Sequence, residues 1–154
     1  MILNNEGNDK ITDHPNDPGG LTRYGICKRN YPDLDIKNLT RNQAIEIYFK
    51  DYWKPMNLLD IYDENLVLQI FDMGVNAGIR TAIKMVQRIV EAEPDGIVGP
   101  ETIGLINDYP DDLVDLYKQE RKKYYFNLAR RKPKMQVFLQ GWINRVDRTK
   151  FIAS

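Results

Sequence analysis

A glutamate, an aspartate and a threonine near the start of the chain, Glu6, Asp17 and Thr22, have the types and spacing that suit acid–base chemistry. If residues 1–6 end a helix, Gly7 is the natural residue to stop it in the left-handed conformation. The Glu6 carboxyl would then sit at the helix C-terminus, where the dipole disfavours negative charge, and partial burial would push its pKa the same way, upward. A carboxyl that stays protonated near neutral pH can protonate the leaving oxygen of a glycosidic bond. Asp17 could orient or activate a water on the opposite face of the sugar, or serve only as a turn residue ahead of Pro18. Thr22 could hold that water through its hydroxyl, or cap the element that follows. Tyr24 could line a sugar cleft.

The surrounding composition excludes other chemistries. A single histidine and a single cysteine, His14 and Cys27, provide no zinc-ligand spacing and no intramolecular disulfide, so neither a metal nor an organic cofactor is expected. His14, beside Pro15, reads as a loop residue. At 154 residues, with 42% hydrophobic and 29% charged residues, the chain has the make-up of one ordinary globular domain. No apolar run approaches the roughly 18 residues of a membrane span. The opening Met1-Ile2-Leu3-Asn4-Asn5-Glu6 has neither a basic leader nor an apolar core, so synthesis in the cytoplasm without a signal peptide is expected. Charge is unevenly placed: residues 1–110 carry 11 Lys and Arg against 17 Asp and Glu, residues 111–154 carry 11 against 5. The basic end is either a solvated face on long helices or a surface for an anionic polymer.

The elements that must position these groups are mostly helical. His14-Pro15-Asn16-Asp17-Pro18-Gly19-Gly20 is a loop, because two prolines lack the N–H and two glycines are too flexible for a helix interior. A small hairpin fits around residues 20–27. Thr40 and Gln43 have the form of a capping box, opening a helix with Ala44, Ile47, Tyr48 and Tyr52 that ends near Trp53, before Pro55. A second helix is predicted from about Glu64 to Val75, with Val67, Ile70, Phe71 and Gly74 along one side. Asn76-Ala77-Gly78 interrupts or reorients it, and Ile79, Ala82, Ile83, Val86 and Ile89 or Val90 form the apolar stripe of a third. Asp95-Gly96 marks a turn and Gly99-Pro100 the start of a short helix. Pro110 opens a long helix to about Arg131, and a last helix presents Val137, Phe138, Trp142 and Val146. Phe71, Ile83, Val86, Phe138 and Trp142 are the predicted core. The class is mainly α with a minor β element.

Two stretches then invite comparison with a known family. Glu6-Gly7, followed by Asn16-Asp17-Pro18-Gly19-Gly20-Leu21-Thr22-Arg23-Tyr24-Gly25-Ile26, resembles the opening motif of the glycoside hydrolase family 108 N-acetylmuramidases. Agreement continues through Asp51-Tyr52-Trp53 and Phe71-Asp72-Met73-Gly74-Val75-Asn76-Ala77-Gly78. Asp95-Gly96-Ile97-Val98-Gly99-Pro100-Glu101-Thr102 is similar to the signature of the family's peptidoglycan-binding region, and Gly141-Trp142-Ile143-Asn144-Arg145 to its closing segment. The resemblance implies a lysozyme-like α+β fold with a minimal β element, formed as a single compact helical domain. Within it, residues 1–92 would be the catalytic region and residues 93–154 a helical peptidoglycan-binding-type region, packed as one globular unit.

The same resemblance implies cleavage next to N-acetylmuramic acid, with Glu6, Asp17 and Thr22 catalytic and Tyr24 and Asn76 binding substrate. The partner would be the peptidoglycan glycan strand, met at the bacterial cell wall by a monomer, with a role in phage lysis, wall remodelling or secretion. Similarity to phage-type lysozymes favours inversion. Where the family has Glu-Gly-Gly-Tyr the chain has Glu6-Gly7-Asn8-Asp9, which motivates an alternative, a non-catalytic peptidoglycan-binding or secretion-accessory protein on the same fold. A nucleic-acid-binding reading of the basic end, with Tyr117, Tyr124, Tyr125 and Trp142, has no recognition motif behind it.

Overall fold

The computed structural model describes residues 20–149, in two units that divide after Phe49. Glu6, His14 and Asp17 lie outside the described residues. The fold is mainly α: among the described residues there are six helices of at least eight residues and one two-stranded sheet.

In the first unit, β1 (Thr22–Arg23) pairs antiparallel with β2 (Ile26–Cys27), with Thr22 opposite Cys27 and Arg23 opposite Ile26. The Lys28 N–H donates to the Leu21 carbonyl at 2.8 Å, extending the ladder by one bond. Two residues, Tyr24 and Gly25, make the turn with φ of 54° and 78°. Positive φ at both central positions matches the right-handed twist of the strands, and Gly25 adopts it without steric cost. A 3₁₀ turn, Ile36–Asn38, leads to α1 (Arg41–Tyr48). The predicted capping box is present, with the Gln43 N–H donating to Thr40 Oγ1 and the Thr40 N–H to Gln43 Oε1. Ile26, Ile36, Leu39, Ala44 and Tyr48 are buried.

The helix does not stop at Trp53 as predicted. It widens into a π turn, Phe49–Trp53, and closes with a helical turn, Lys54–Met56. Pro55 stands at the start of that last turn, where its missing N–H leaves no helical bond unmade.

The second unit holds α2 (Glu64–Ala77), α3 (Ile79–Ile89), α4 (Pro100–Asn107), α5 (Leu113–Arg131) and α6 (Gln136–Arg148). Asp63 caps α2 through the N–H groups of Asn65 and Leu66. Gly78, at φ 101°, turns the chain from α2 directly into α3, a conformation that a side chain would strain. Pro100 occupies the first turn of α4, as predicted. The long helix starts three residues after Pro110, at Leu113, because the Asp112 carboxylate accepts from the Asp115 N–H and caps it there. Buried positions on α5 recur every four residues, at Leu113, Tyr117, Arg121, Tyr125 and Ala129. None of the helices among the described residues is long and apolar enough to cross a membrane.

Ile70, Met73, Ile83, Val86, Tyr117 and Val146 form the centre of the core. The α3 stripe falls as predicted, with Ala82, Ile83 and Val86 buried and Ile79 and Ile89 packed beside them. Phe71, Phe138 and Trp142, also predicted as core, are half-buried at its edge. Phe71 meets Trp53 edge-on at 5.3 Å, and Phe138 leans on Trp142 at 5.9 Å. Val137, predicted on the inner face, is exposed. Ile83→Ala should therefore cost about 2–5 kcal/mol in chemical denaturation, and Phe71→Ala less than the 3–5 kcal/mol typical of a fully buried phenylalanine.

Candidate active site

Thr22 and Tyr24 share the hairpin of the first unit. The Thr22 hydroxyl donates to the Gly20 carbonyl at 3.0 Å. That bond fixes the direction of its hydrogen and leaves the oxygen lone pairs to accept from a water. Tyr24 holds a left-handed conformation that is uncommon for a bulky residue. Two contacts fix it there. Its carbonyl accepts from the Tyr48 hydroxyl at 2.5 Å, and the Arg23 guanidinium lies 5.6 Å from its ring centroid. Arg23 NH1 in turn donates to the Lys37 carbonyl at 2.6 Å, tying the hairpin to the 3₁₀ turn. A strained tyrosine clamped at a turn is the kind of local strain that gathers at working sites.

Asn76 stands in the last turn of α2, half-buried. Its amide donates to the Tyr125 hydroxyl at 2.6 Å and accepts from Arg145 NH1 at 3.5 Å. It belongs to a buried polar network centred on Asp72, which sequence reasoning did not assign. Arg145 grips the Asp72 carboxylate with two bonds of 2.9 Å, from Nε to Oδ2 and from NH2 to Oδ1. Arg121 NH2 donates to Oδ2 at 2.8 Å, and its NH1 to Gln69 Oε1 at 2.7 Å. Gln69 Nε2 then donates to the carbonyls of Val146 and Thr149. The network joins α2, α5 and the end of α6.

Its electrostatics are set by the two guanidiniums. Burial pushes the Asp72 carboxyl up, but Arg145 and then Arg121 outweigh burial and hold it below the ordinary carboxylate range. Burial opposes the charge on Arg121 as well, and the neighbouring Tyr125 and Asp72 more than offset it, so Arg121 holds its proton more firmly than usual. Tyr125 stacks on Trp142 at 5.1 Å, which carries the network into the aromatic edge of the core. The motifs around Asp72 and Arg145 thus meet as one buried ion pair. A signal was present in the sequence, since both charges sit inside otherwise apolar helix stripes.

The motif from Asp95 to Thr102 is organised by another buried amide. Gln87 Nε2 donates to Asp95 Oδ1, the Ile97 carbonyl and Thr102 Oγ1 at 3.0–3.1 Å, while the Gly96 N–H donates to Gln87 Oε1 at 2.9 Å. The Ile97 N–H and Gln87 hold the Asp95 carboxylate below its ordinary range. Glu101 lies exposed in the first turn of α4. No three His, Cys, Asp or Glu side chains among the described residues gather as a metal-ligand group.

Residues 1–78 match the family profile described as Glycosyl hydrolase 108, and residues 81–147 match one described as Predicted Peptidoglycan domain. A comparison with curated protein sequences finds no match. Among solved structures the chain is similar to Brucella abortus SagA, with a TM-score of 0.81 and 26% identity over 96% of this chain and 86% of that one. The first profile spans Glu6, Asp17 and the Thr22–Tyr24 hairpin, and takes in half of the chain. With a lysozyme-like, peptidoglycan-related role, the chain belongs to the glycosyl hydrolase 108 family.

Proposed function

We propose that the chain is an N-acetylmuramidase that cleaves the peptidoglycan strand next to N-acetylmuramic acid by general acid catalysis. The observation that carries the reading is the family match across residues 1–78, a span that contains Glu6, Asp17 and Thr22. Glu6 protonates the glycosidic oxygen as positive charge grows on the sugar. Asp17 guides water to the opposite face, and Thr22 accepts a hydrogen bond from that water with the lone pairs its own geometry leaves open. Tyr24 lines the sugar site. Asn76 retains one amide hydrogen and an oxygen lone pair for a sugar hydroxyl. A Glu6–Asp17 carboxyl separation of about 6.5–9.5 Å corresponds to inversion, and about 5–5.5 Å to retention.

The departure at Asn8-Asp9 favours a second reading, a non-catalytic peptidoglycan-binding or secretion-accessory protein. Digestion of purified peptidoglycan, with mass analysis of the new ends, separates the two: new reducing muramic acid ends support the hydrolase and their absence supports the accessory protein. Within the hydrolase reading, Thr22→Ala and Asp17→Ala should each slow digestion at least about ten-fold, and Glu101→Ala less than two-fold. Glu101 lies exposed in the first turn of α4, outside the Glu6–Thr22 segment that carries the proposed chemistry. Loss of turnover in Glu101→Ala with Asp17→Ala unimpaired would move the site elsewhere on the chain.

A further inference from the structure

Residues 121–146 contain eight Lys and Arg and no Asp or Glu. Arg121 and Arg145 are consumed by Asp72, and Lys122 lies 2.7 Å from Asp147. Lys123, Arg130, Arg131, Lys132 and Lys134 have no acidic partner within ion-pair distance among the described residues. The last four cluster where α5 ends and the 3₁₀ turn Pro133–Met135 leads into α6. At the same place, the two helices enclose an open groove of about 510 Å³ lined by Phe126, Asn127, Ala129, Arg130, Gln136 and Leu139. Phe126 is 55% exposed, and Val137 nearby in sequence is 59% exposed. A groove with an apolar floor, amide groups on its wall and only positive charges around it is complementary to a short, partly apolar chain bearing carboxylates.

We infer that this groove docks the peptide stem of peptidoglycan, with Arg130, Arg131, Lys132 and Lys134 meeting its free carboxylates and Phe126 and Leu139 its alanyl methyl groups. The inference rests on peptidoglycan being the polymer the chain meets. It adds a second contact to the glycan contact proposed for the hairpin, on a different chemical part of the polymer. A concave floor suits a peptide chain better than a planar bilayer, which needs a protruding apolar face. Duplex nucleic acid would use the cations and leave Phe126 and Leu139 without a partner.

Fluorescence anisotropy of the full chain with a labelled stem tetrapeptide tests this directly. Amidating the peptide carboxylates should weaken binding roughly ten-fold, since charge-assisted hydrogen bonds are lost. Arg131→Glu combined with Lys134→Glu should weaken it by a similar factor or more, with an unchanged thermal melt, because both side chains are exposed. Phe126→Ala should weaken binding of the amidated and unamidated peptides alike. Equal affinity for amidated peptide, or an unaltered affinity in the charge-reversed variant, overturns the inference. So does an absence of peptide binding at millimolar concentration, even if the chain digests peptidoglycan; anionic vesicles or duplex DNA that bind instead would assign the cations to another polyanion. Peptide binding without digestion would overturn the hydrolase reading and leave this one standing.

Discussion

Glu6→Gln is expected to lower peptidoglycan digestion by about 10²- to 10⁴-fold, the usual contribution of a positioned general acid. The amide has the shape of the carboxyl and no acidic proton to give to the leaving oxygen. Departure of the sugar would then rely on water, which is neither held at the oxygen nor matched in acidity to the task. Ground-state contacts to the polymer should survive, so binding to intact peptidoglycan should change little while turnover falls. The comparison variant is Glu101→Gln, which alters an exposed glutamate that caps no reaction path in the proposed site. Circular dichroism of both should match the parent, and release of new reducing ends is the readout. Turnover by Glu6→Gln within a few-fold of the parent would remove Glu6 from the acid role.

Local chemistry made part of the architecture legible. The Thr40–Gln43 box, the small hairpin within residues 20–27, the Asp95–Gly96 turn and Pro100 at a helix start each depend on residues within a few positions of one another, and each is found where the sequence indicates. The α3 stripe is equally plain, because its apolar residues follow one helical period, with the buried Gln87 joining that face near its end. Helix ends were less legible where two signals competed. Pro110 suggested a start, but the Asp112 side chain supplies the cap that fixes it. Pro55 suggests a stop, but it opens one more helical turn, Lys54–Met56, after the π turn.

The α2 stripe is legible only in part, for a tertiary reason: Ile70 and Gly74 are buried, whereas Val67 and Phe71 are half-buried at the edge of the core. Counting only apolar residues placed Phe71 inward. The buried face instead holds Gln69 and Asp72 beside Leu66, Ile70 and Met73. Their partners, Arg121 and Arg145, are 49 and 73 residues away in sequence, beyond anything a periodicity argument sees. At the candidate site the order is reversed. The loop's composition makes Thr22 and Tyr24 candidates, and the structure adds what composition lacks: the direction of the Thr22 hydroxyl and the contacts that hold Tyr24 in its strained turn.

Asp72→Asn should lower the stability of the second unit by roughly 3–5 kcal/mol, the range for removing one partner of a buried ion pair. The magnitude comes from what is left behind. Arg121 is fully buried and Arg145 nearly so, and both give the Asp72 carboxylate short charge-assisted bonds that an amide cannot replace. An asparagine offers one acceptor oxygen and presents an NH₂ group to two donors. Exposed pairs such as Lys122–Asp147 provide the contrast, since their removal typically changes stability by no more than about 1 kcal/mol. The effect must also depend on pH, with a definite sign. A carboxyl whose folded pKa is depressed contributes stability that is complete above its unfolded value, about 3.9, and is lost as pH falls through the folded value. Protonating Asp72 makes the parent resemble the variant. The gap between them in urea denaturation should therefore be full at pH 7 and shrink below about pH 4. A gap under 1 kcal/mol at pH 7, or one that stays constant into acid, would mean that the Asp72 carboxylate is not what holds α2, α5 and α6 together.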